Sequence, residues 1–404
     1  MHHDLLIIGA GAAGIAAARA AGEAGLECRV LEARGRVGGR CHAVRPSAAP
    51  AVLDLGASWL HAADEGHPLL AHGRRFGLTV AIDPKRRELF AGRRRLGLDA
   101  ARAYEAAAAR LPCPMPQPAS LATLFDDPDP WASTLARHFA RAVCGVEPEE
   151  ADLADWLDAA DGADWLVAEG YGTLLARLAE GLPITLDCAV RGIEVGPDAV
   201  RATTDRGTAS AAHAIVTVPL PLLARGRPRI VPPLPDATLA ALDALPSGVL
   251  LKAPLALEAR PLGHDSTWYL QSVGDDAAPF FLMRPFGADL AYAFFGGDAA
   301  RALEAAGGAA AAAAAIDGLV AHLGADVRRA VRPLPLHAWG SDPWALGSYS
   351  VARPGGLWAR AALRTPLFDR LWLAGEANAP ASRQATVAGA WLAGEAAVHG
   401  IVAA

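Results

Sequence analysis

The stretch 4–34, DLLIIGAGAAGIAAARAAGEAGLECRVLEAR, narrows the possible folds more than any other part of the chain. Residues 4–9 form an apolar run short enough for a buried parallel strand, and Gly9, Gly11 and Gly14 follow as GxGxxG. A helix of small residues, opening on Ala12 and Ala13, then runs to a stop at Gly25. A second strand, 27–32, ends in Glu32, 18 residues beyond Gly14. In this pattern Gly9 permits the tight turn, Gly11 lets backbone approach a pyrophosphate, and Gly14 seats the helix close on the sheet. Unsatisfied amides and the macrodipole make the helix N-terminus a site for an anion. Glu32 stands where a carboxylate accepts hydrogen bonds from a ribose. The expected fold is α/β, built on a doubly wound, Rossmann-like dinucleotide-binding sheet.

Residues 34–40 read RGRVGGR, and an Arg- and Gly-rich loop directly after the acid suits further phosphate contacts better than a nicotinamide site. Taken alone it is equally a solvated basic loop. With Glu32, Ala33, Arg34, Gly39 and Arg40 in this order, the sequence resembles the flavin-containing amine oxidases, whose N-terminal motif is GxGxxG, an acid and an RxGGR loop. The resemblance implies FAD as cofactor.

Three further stretches carry the same resemblance. Residues 51–61 read AVLDLGASWLH, a strand running into a glycine turn. Gly56, Ala57, Ser58 and Trp59 resemble the polyamine oxidase segment that passes under the flavin ring, and His61 takes the place of the histidine facing the substrate tunnel. On residue type alone His61 is more readily a structural histidine, and only the resemblance sets the functional reading level with it. Asp64 and Glu65 then follow, either to attract a cationic amine or as loop charge. Residues 339–351, WGSDPWALGSYSV, resemble a motif of polyamine oxidases and their lysine-demethylase relatives. The match implies that Trp344 packs near the flavin and that Tyr349 walls its reactive face, where an aromatic ring stacks a substrate and attracts an amine. Core aromatics are the plainer reading of both. Residues 371–390, LWLAGEANAPASRQATVAGA, match the family's second FAD motif. There Gly375 belongs to the AGE turn, Glu376 is implied to orient the ribityl or pyrophosphate region, and Val387 to aim its amide at the flavin N1 and C2 carbonyl. Thr386 is implied to stand opposite Tyr349.

The middle of the chain adds two residues. Val190, in an alternating strand, corresponds to the family's valine beside the adenine, and is equally ordinary sheet core. Lys252 lies in the apolar run LPSGVLLKAPLAL, where an amine must be paired, neutral or snorkelled. Residue type alone reads as an edge-strand lysine, whereas the resemblance assigns it to hold a water against flavin N5. Two departures bear on the substrate. The loop between AGE and TV is one residue longer than in close relatives, and Ser382, Arg383 and Gln384 stand where aromatic residues or proline are common, leaving a half-aromatic cage. Ser348 precedes Tyr349 where membrane monoamine oxidases carry the flavin-linking cysteine, so noncovalent FAD is expected, with Cys41 the thiol nearest the RVGGR loop.

Length and charge bound the rest. With 404 residues, 52% of them hydrophobic, two or three domains with sizeable cores are expected. Net charge is 37 minus 43, or −6, without a long basic run, which argues against nucleic acid or an anionic membrane as partner. The clusters at 85–87 and 93–96 read as solvated hairpin or loop charge. Five dispersed cysteines without CxxC spacing argue for a reducing cytoplasm and against a disulfide frame or a metal site. No signal peptide is read ahead of the first strand, and no run reaches the roughly 20 apolar residues that span a bilayer. Residues 73–171 read as a helical, irregular insertion broken by PCPMPQP, with Trp156 and Trp165 as core. The alanine run 309–315 reads as a surface segment of one helix from 298 to 323.

The expected architecture is a discontinuous FAD domain of residues 1–72, 180–246 and 337–404, with an inserted α+β substrate domain of residues 73–179 and 247–336. Its implied activity is amine oxidation: hydride passes from the amine α-carbon to flavin N5, the imine hydrolyses, and O2 is reduced to hydrogen peroxide. Lys252, Tyr349, Thr386 and His61 are the expected catalytic set, with a polyamine-like or other primary or secondary amine as substrate. An L-amino-acid oxidase, a desaturase or porphyrinogen-oxidase-like dehydrogenase, and a non-catalytic FAD-binding protein are the alternatives.

Overall fold

The strand His2–Ile8 is apolar on both faces because both are covered: Leu5, Leu6 and Ile7 have no solvent exposure. In the computed structural model, which describes residues 2–63, 66–110, 118–159, 162–258, 266–274, 278–380 and 382–404, this strand is central to an eight-stranded sheet. It pairs in parallel with Cys28–Leu31 on one side and Gly207–Val216 on the other. Beyond these lie Ile184–Thr185 at one edge, and Val200–Thr204, Val190–Val195 and Arg229–Val231 toward the other; Leu371–Leu373 pairs in parallel with the last residues of Gly207–Val216. Asp64, Glu65 and the PCPMPQP residues 112–117 lie outside the described residues.

Two helices cover one face, Ala12–Glu23 and Val387–Ala403, and alanines on both allow a close approach. A Cβ added to Gly14 would stand 1.9 Å from the Gly9 carbonyl oxygen, and one on Gly394 would stand 2.1 Å from that of Ala13. The small residues are therefore a packing requirement. Among the described residues no helix is long and apolar enough to cross a membrane.

A second, seven-stranded sheet runs in the order Val331–Pro333, Leu250–Leu257, Leu290–Gly296, Phe280–Met283, Trp268–Ser272, Arg87–Ala91, Arg94–Arg95. One face, with Leu255, Phe281 and Ala293, packs on the helices Gly297–Ala306 and Gly308–Leu323. Alternation turns Lys252, Tyr292, Phe294 and Phe280 to the opposite face. A small sheet of Trp59–Leu60, Trp165–Val167 and Val80–Ile82 stands beside it.

Three expectations need correction. The stretch 73–171 contains helices such as Leu98–Ala109, but also the strands Val80–Ile82, Arg87–Ala91, Arg94–Arg95 and Trp165–Val167. The hairpin at Gly92, with φ of 58°, is stabilised by a parallel partner, Trp268–Ser272, far away in sequence. The helix expected across 298–323 breaks at Gly307, whose φ of 93° is left-handed. The alanine run is not simply surface: Ala311, Ala312 and Ala315 are buried against the sheet.

Candidate active site

One elongated cavity of about 1590 Å³ runs between the two sheets, larger than the roughly 300–1,000 Å³ of an ordinary small-molecule site. At one end lies the first βα turn. Gly9 adopts φ of 108°, and a Cβ there would press to 2.4 Å from Thr217 Oγ1. A Cβ on Gly11 would meet nothing within 4 Å and would project into open space. The helix behind it begins at Ala12 with no side-chain cap and no acidic residue in its first turn, so its amides remain available to an anion. Each Glu32 oxygen takes one backbone amide, from Ala10 at 2.7 Å and Arg34 at 2.8 Å, which fixes the carboxylate and leaves lone pairs for hydroxyl donors. These residues fit the pyrophosphate and ribose of a dinucleotide.

The Arg34–Arg40 loop is held by ion pairs. Arg34 grips Asp342 through two bonds of 2.9 and 2.7 Å, with His337 also on that carboxylate at 2.8 Å. Arg40 donates to Glu376 at 2.9 Å and to the Ser348 carbonyl at 3.0 Å. Glu376 also receives the Ser350 hydroxyl at 2.6 Å, and Arg360 joins Ser350 to Asp155. Arg34, Arg40 and Arg360 are thus each paired with a carboxylate at this end, whereas Arg36 donates only to the Val37 and Gly39 carbonyls. Trp344 lines the cavity under the Arg191 guanidinium, 5.4 Å from its ring, and Val190 lies on the same wall. Cys41 is buried, and burial, with the Asp54 carboxylate adding, pushes its thiol up to about 12, which leaves it protonated and unreactive.

Lys252 is 5% exposed and its amine is enclosed. It donates to the Gly56 carbonyl and, at 2.5 Å, to Ser58 Oγ, while the rings of Trp59, Phe294 and Tyr292 stand 5.3, 5.4 and 5.9 Å away. Burial lowers its pKa, and the buried Asp54 carboxylate acts in the opposite sense. Tyr349 lines the cavity but donates its hydroxyl to the Val143 carbonyl at 2.5 Å. That carbonyl belongs to the π-helical turn His138–Cys144. The Thr386 hydroxyl is occupied as well: it caps Val387–Ala403 by accepting from the Gly389 amide at 2.9 Å and donates to the Arg383 carbonyl at 2.7 Å. His61 stands 3.2 Å from Asp164 and stacks on Trp59. Burial opposes ionisation of Asp164, but His61, Lys85 and the Ala62 amide together hold its pKa at about 2.

All the expected residues therefore line this cavity except Gly14, which packs behind the Gly9 carbonyl: Gly9, Gly11, Ala12, Ala13, Glu32, Ala33, Arg34, Gly39, Arg40, Gly56, Ala57, Ser58, Trp59, His61, Val190, Lys252, Trp344, Tyr349, Gly375, Glu376, Thr386 and Val387. Sequence reasoning missed others. Trp156, expected in the core, stacks on Phe139 at 4.1 Å and lines the cavity. Asp83, Arg87, His138 and Tyr269 also face it. Burial, with the charge of Arg87 adding, lowers His138 to about 3 and keeps it neutral. Neither Tyr269 nor Arg87 carries a local signal: burial along 268–272 and 87–91 does not alternate, and only the pairing of the two strands places both on the cavity wall.

A glycine cradle, an acid at the end of the second strand and two helix N-termini around one cavity on a doubly wound sheet define a dinucleotide-binding protein. Comparison with known proteins makes this particular. The family model for flavin containing amine oxidoreductase matches residues 151–402, and that for an NAD(P)-binding Rossmann-like domain matches residues 7–72. Polyamine oxidase 4 of Oryza sativa subsp. japonica is 30% identical over 98% of this chain and 87% of its own length. Lysine-specific histone demethylase 1 homolog 1 of the same plant is 29% identical over 97% of this chain, which spans only 51% of that relative. Wild-type putrescine oxidase bound to putrescine shares the fold, with a TM-score of 0.80 at 21% identity over 100% of both chains. The chain belongs to the flavin-containing amine oxidoreductases, and its cofactor is FAD.

Proposed function

We propose that this enzyme oxidises a primary or secondary amine with O2 as electron acceptor, releasing hydrogen peroxide. One observation carries the reading: Lys252, Tyr349 and the 56–59 turn line the same cavity as the glycine cradle. Bound FAD supplies a two-electron acceptor for the hydride of the amine α-carbon, and water hydrolyses the resulting imine to an aldehyde or ketone. Gly11, Glu32 and the amides at Ala12 hold the dinucleotide end, while the helix N-terminus at Val387 offers amides to negative charge. Lys252 spends two of its three donors on Gly56 and Ser58, so one remains to hold a water or O2 in the cavity. Trp59, Phe280, Phe294 and Tyr349 exclude water and hold the substrate body. We assign the FAD domain to residues 1–72, 180–246 and 337–404 and the substrate domain to 73–179 and 247–336, with FAD held noncovalently. Ser348, whose hydroxyl is bonded to Leu250, supports the noncovalent assignment.

Anaerobic mixing with polyamines, monoamines and amino acids tests the activity. Bleaching of the flavin by an amine, followed by peroxide release on admission of air, is expected. Flavin that no amine reduces while a polyene does would instead favour the desaturase alternative.

A further inference from the structure

Most of the charged groups lining the cavity are paired within the protein. Arg34, Arg40, Arg360 and Arg383 all donate hydrogen bonds to protein acceptors. Asp83 accepts from Tyr269, from Trp59 Nε1 at 2.9 Å and from the Lys85 amide at 3.0 Å. Asp164 is held by His61, the Ala62 amide and Lys85. Arg87 differs. Its guanidinium lies over the Tyr104 ring at 5.2 Å, its Nε is buried without a hydrogen-bond partner, and its one carboxylate neighbour, the half-exposed Glu105, is 3.6 Å away. A pair so long and so exposed on one side neutralises little. Arg87 is thus a partly buried, ring-stacked cation on the cavity wall whose one acidic neighbour among the described residues is Glu105 at 3.6 Å, and an arginine fork of this kind suits a planar carboxylate.

Its place in the sheet sets the distance. Tyr269 pairs with Arg87, Leu282 with Tyr269, Tyr292 with Leu282 and Pro254 with Tyr292. Lys252 and Arg87 accordingly share one face, four strands apart, which at about 4.8 Å per strand is roughly 19 Å across. The floor between them is aromatic: Phe294 and Phe280 are 5.6 Å apart, and Phe280 stacks on Tyr269 at 5.1 Å. His138, above Phe280 at 5.3 Å, is neutral. Among the described residues, the carboxylates along this path, Asp83, Asp164 and the more exposed Glu105, each already face a donor or cation, so a second ammonium finds little to bind there.

We propose that Arg87 binds a carboxylate at the distal end of the substrate, so that long-chain ω-amino carboxylates are preferred over diamines. This rests on the amine-oxidase reading above and specifies its substrate class. The reacting amine lies toward Lys252 and Tyr349, the apolar chain crosses the aromatic floor, and the carboxylate meets the Arg87 guanidinium. The carboxylate takes no part in the chemistry; it adds binding and fixes which end enters.

A homologous series of ω-aminoalkanoates is compared with n-alkylamines and α,ω-diamines of equal chain length by anaerobic flavin reduction. Long ω-aminoalkanoates are expected to show a Kd about ten- to a hundredfold lower than the matched alkylamines, with no such gain for short ones. In Arg87→Met the advantage falls to near one, and Arg87→Lys restores part of it. A diamine that outperforms the matched ω-aminoalkanoate, or an advantage unchanged in Arg87→Met, overturns the proposal. Titration of flavin absorbance with amine-free alkanoates judges the site separately: tight binding lost in Arg87→Met upholds the carboxylate site even if no amine reduces the flavin, and the absence of binding removes it. If Arg87→Met does not fold, the wild-type comparison alone decides.

Discussion

Tyr349 illustrates how a side chain can line a reaction site without offering its polar atom to it. Its hydroxyl donates to the Val143 carbonyl, and burial raises its pKa well above the ordinary value, with nearby Cys144 and Glu376 adding. The ring is the useful part. In stopped-flow measurements Tyr349→Phe is expected to reduce flavin within about threefold of wild type, having lost one neutral hydrogen bond of about 1 kcal/mol; Tyr349→Ala is expected to slow reduction at least about tenfold. A proton-transfer role for the hydroxyl would reverse that order. Lys252 is the converse case, a polar atom that the site needs. Lys252→Met keeps the stem and removes the charge and the remaining donor, so flavin reduction or reoxidation should slow by about tenfold or more. Unchanged rates in both half-reactions would remove its role. Each of these residues was legible from its motif, but the occupation of the Tyr349 and Thr386 hydroxyls was not, because both donate to backbone carbonyls, Val143 in a π-helical turn about 200 residues away and Arg383 in the adjoining turn, and no side-chain pattern records a carbonyl.

At the scale of the element, the first βα unit was read in full from residues 4–34, since strand, turn and helix are local and every signal lies within one window. The strand Arg87–Ala91 was not, because it is stabilised by Trp268–Ser272, and a partner so distant leaves no periodic mark where it is needed. The two glycines of the first turn can be separated by experiment. A Cβ on Gly14 collides with the Gly9 carbonyl at 1.9 Å, whereas one on Gly11 meets no protein atom within 4 Å. Gly14→Ala should therefore destabilise the apoprotein by about 1–3 kcal/mol in urea. Gly11→Val should melt close to wild type as apoprotein yet retain FAD at least tenfold less well, measured by flavin release on dialysis. Equal loss of apoprotein stability in both would show that Gly11 serves packing.

Across the whole molecule, the helical stretch and the C-terminal flavin segment are joined by a buried charge network. Asp155, from the helix Leu153–Leu157, makes two 2.6 Å bonds to Arg360 and accepts the Ala352 amide at 3.1 Å. Arg360 continues to Ser350 and the Ala377 carbonyl, and Ser350 to Glu376, which Arg40 also holds. Neither Asp155 nor Arg360 stands in a recognisable motif, and their burial, 6% and 4% exposed, follows from a meeting of segments about 200 residues apart. Desolvation makes such a pair weak evidence of net stability, but removing one partner strands the other. Asp155→Leu and Arg360→Leu should each lower stability by about 3–5 kcal/mol in urea unfolding. The double variant Asp155→Leu/Arg360→Leu should recover more than half of that loss, because no charge is left buried. Because Ser350 and Glu376 lie downstream in the same network, the single variants should also release FAD faster than the double variant. Strict additivity of the two losses would mean that the bridge is incidental and that the cavity wall is held by its apolar contacts alone.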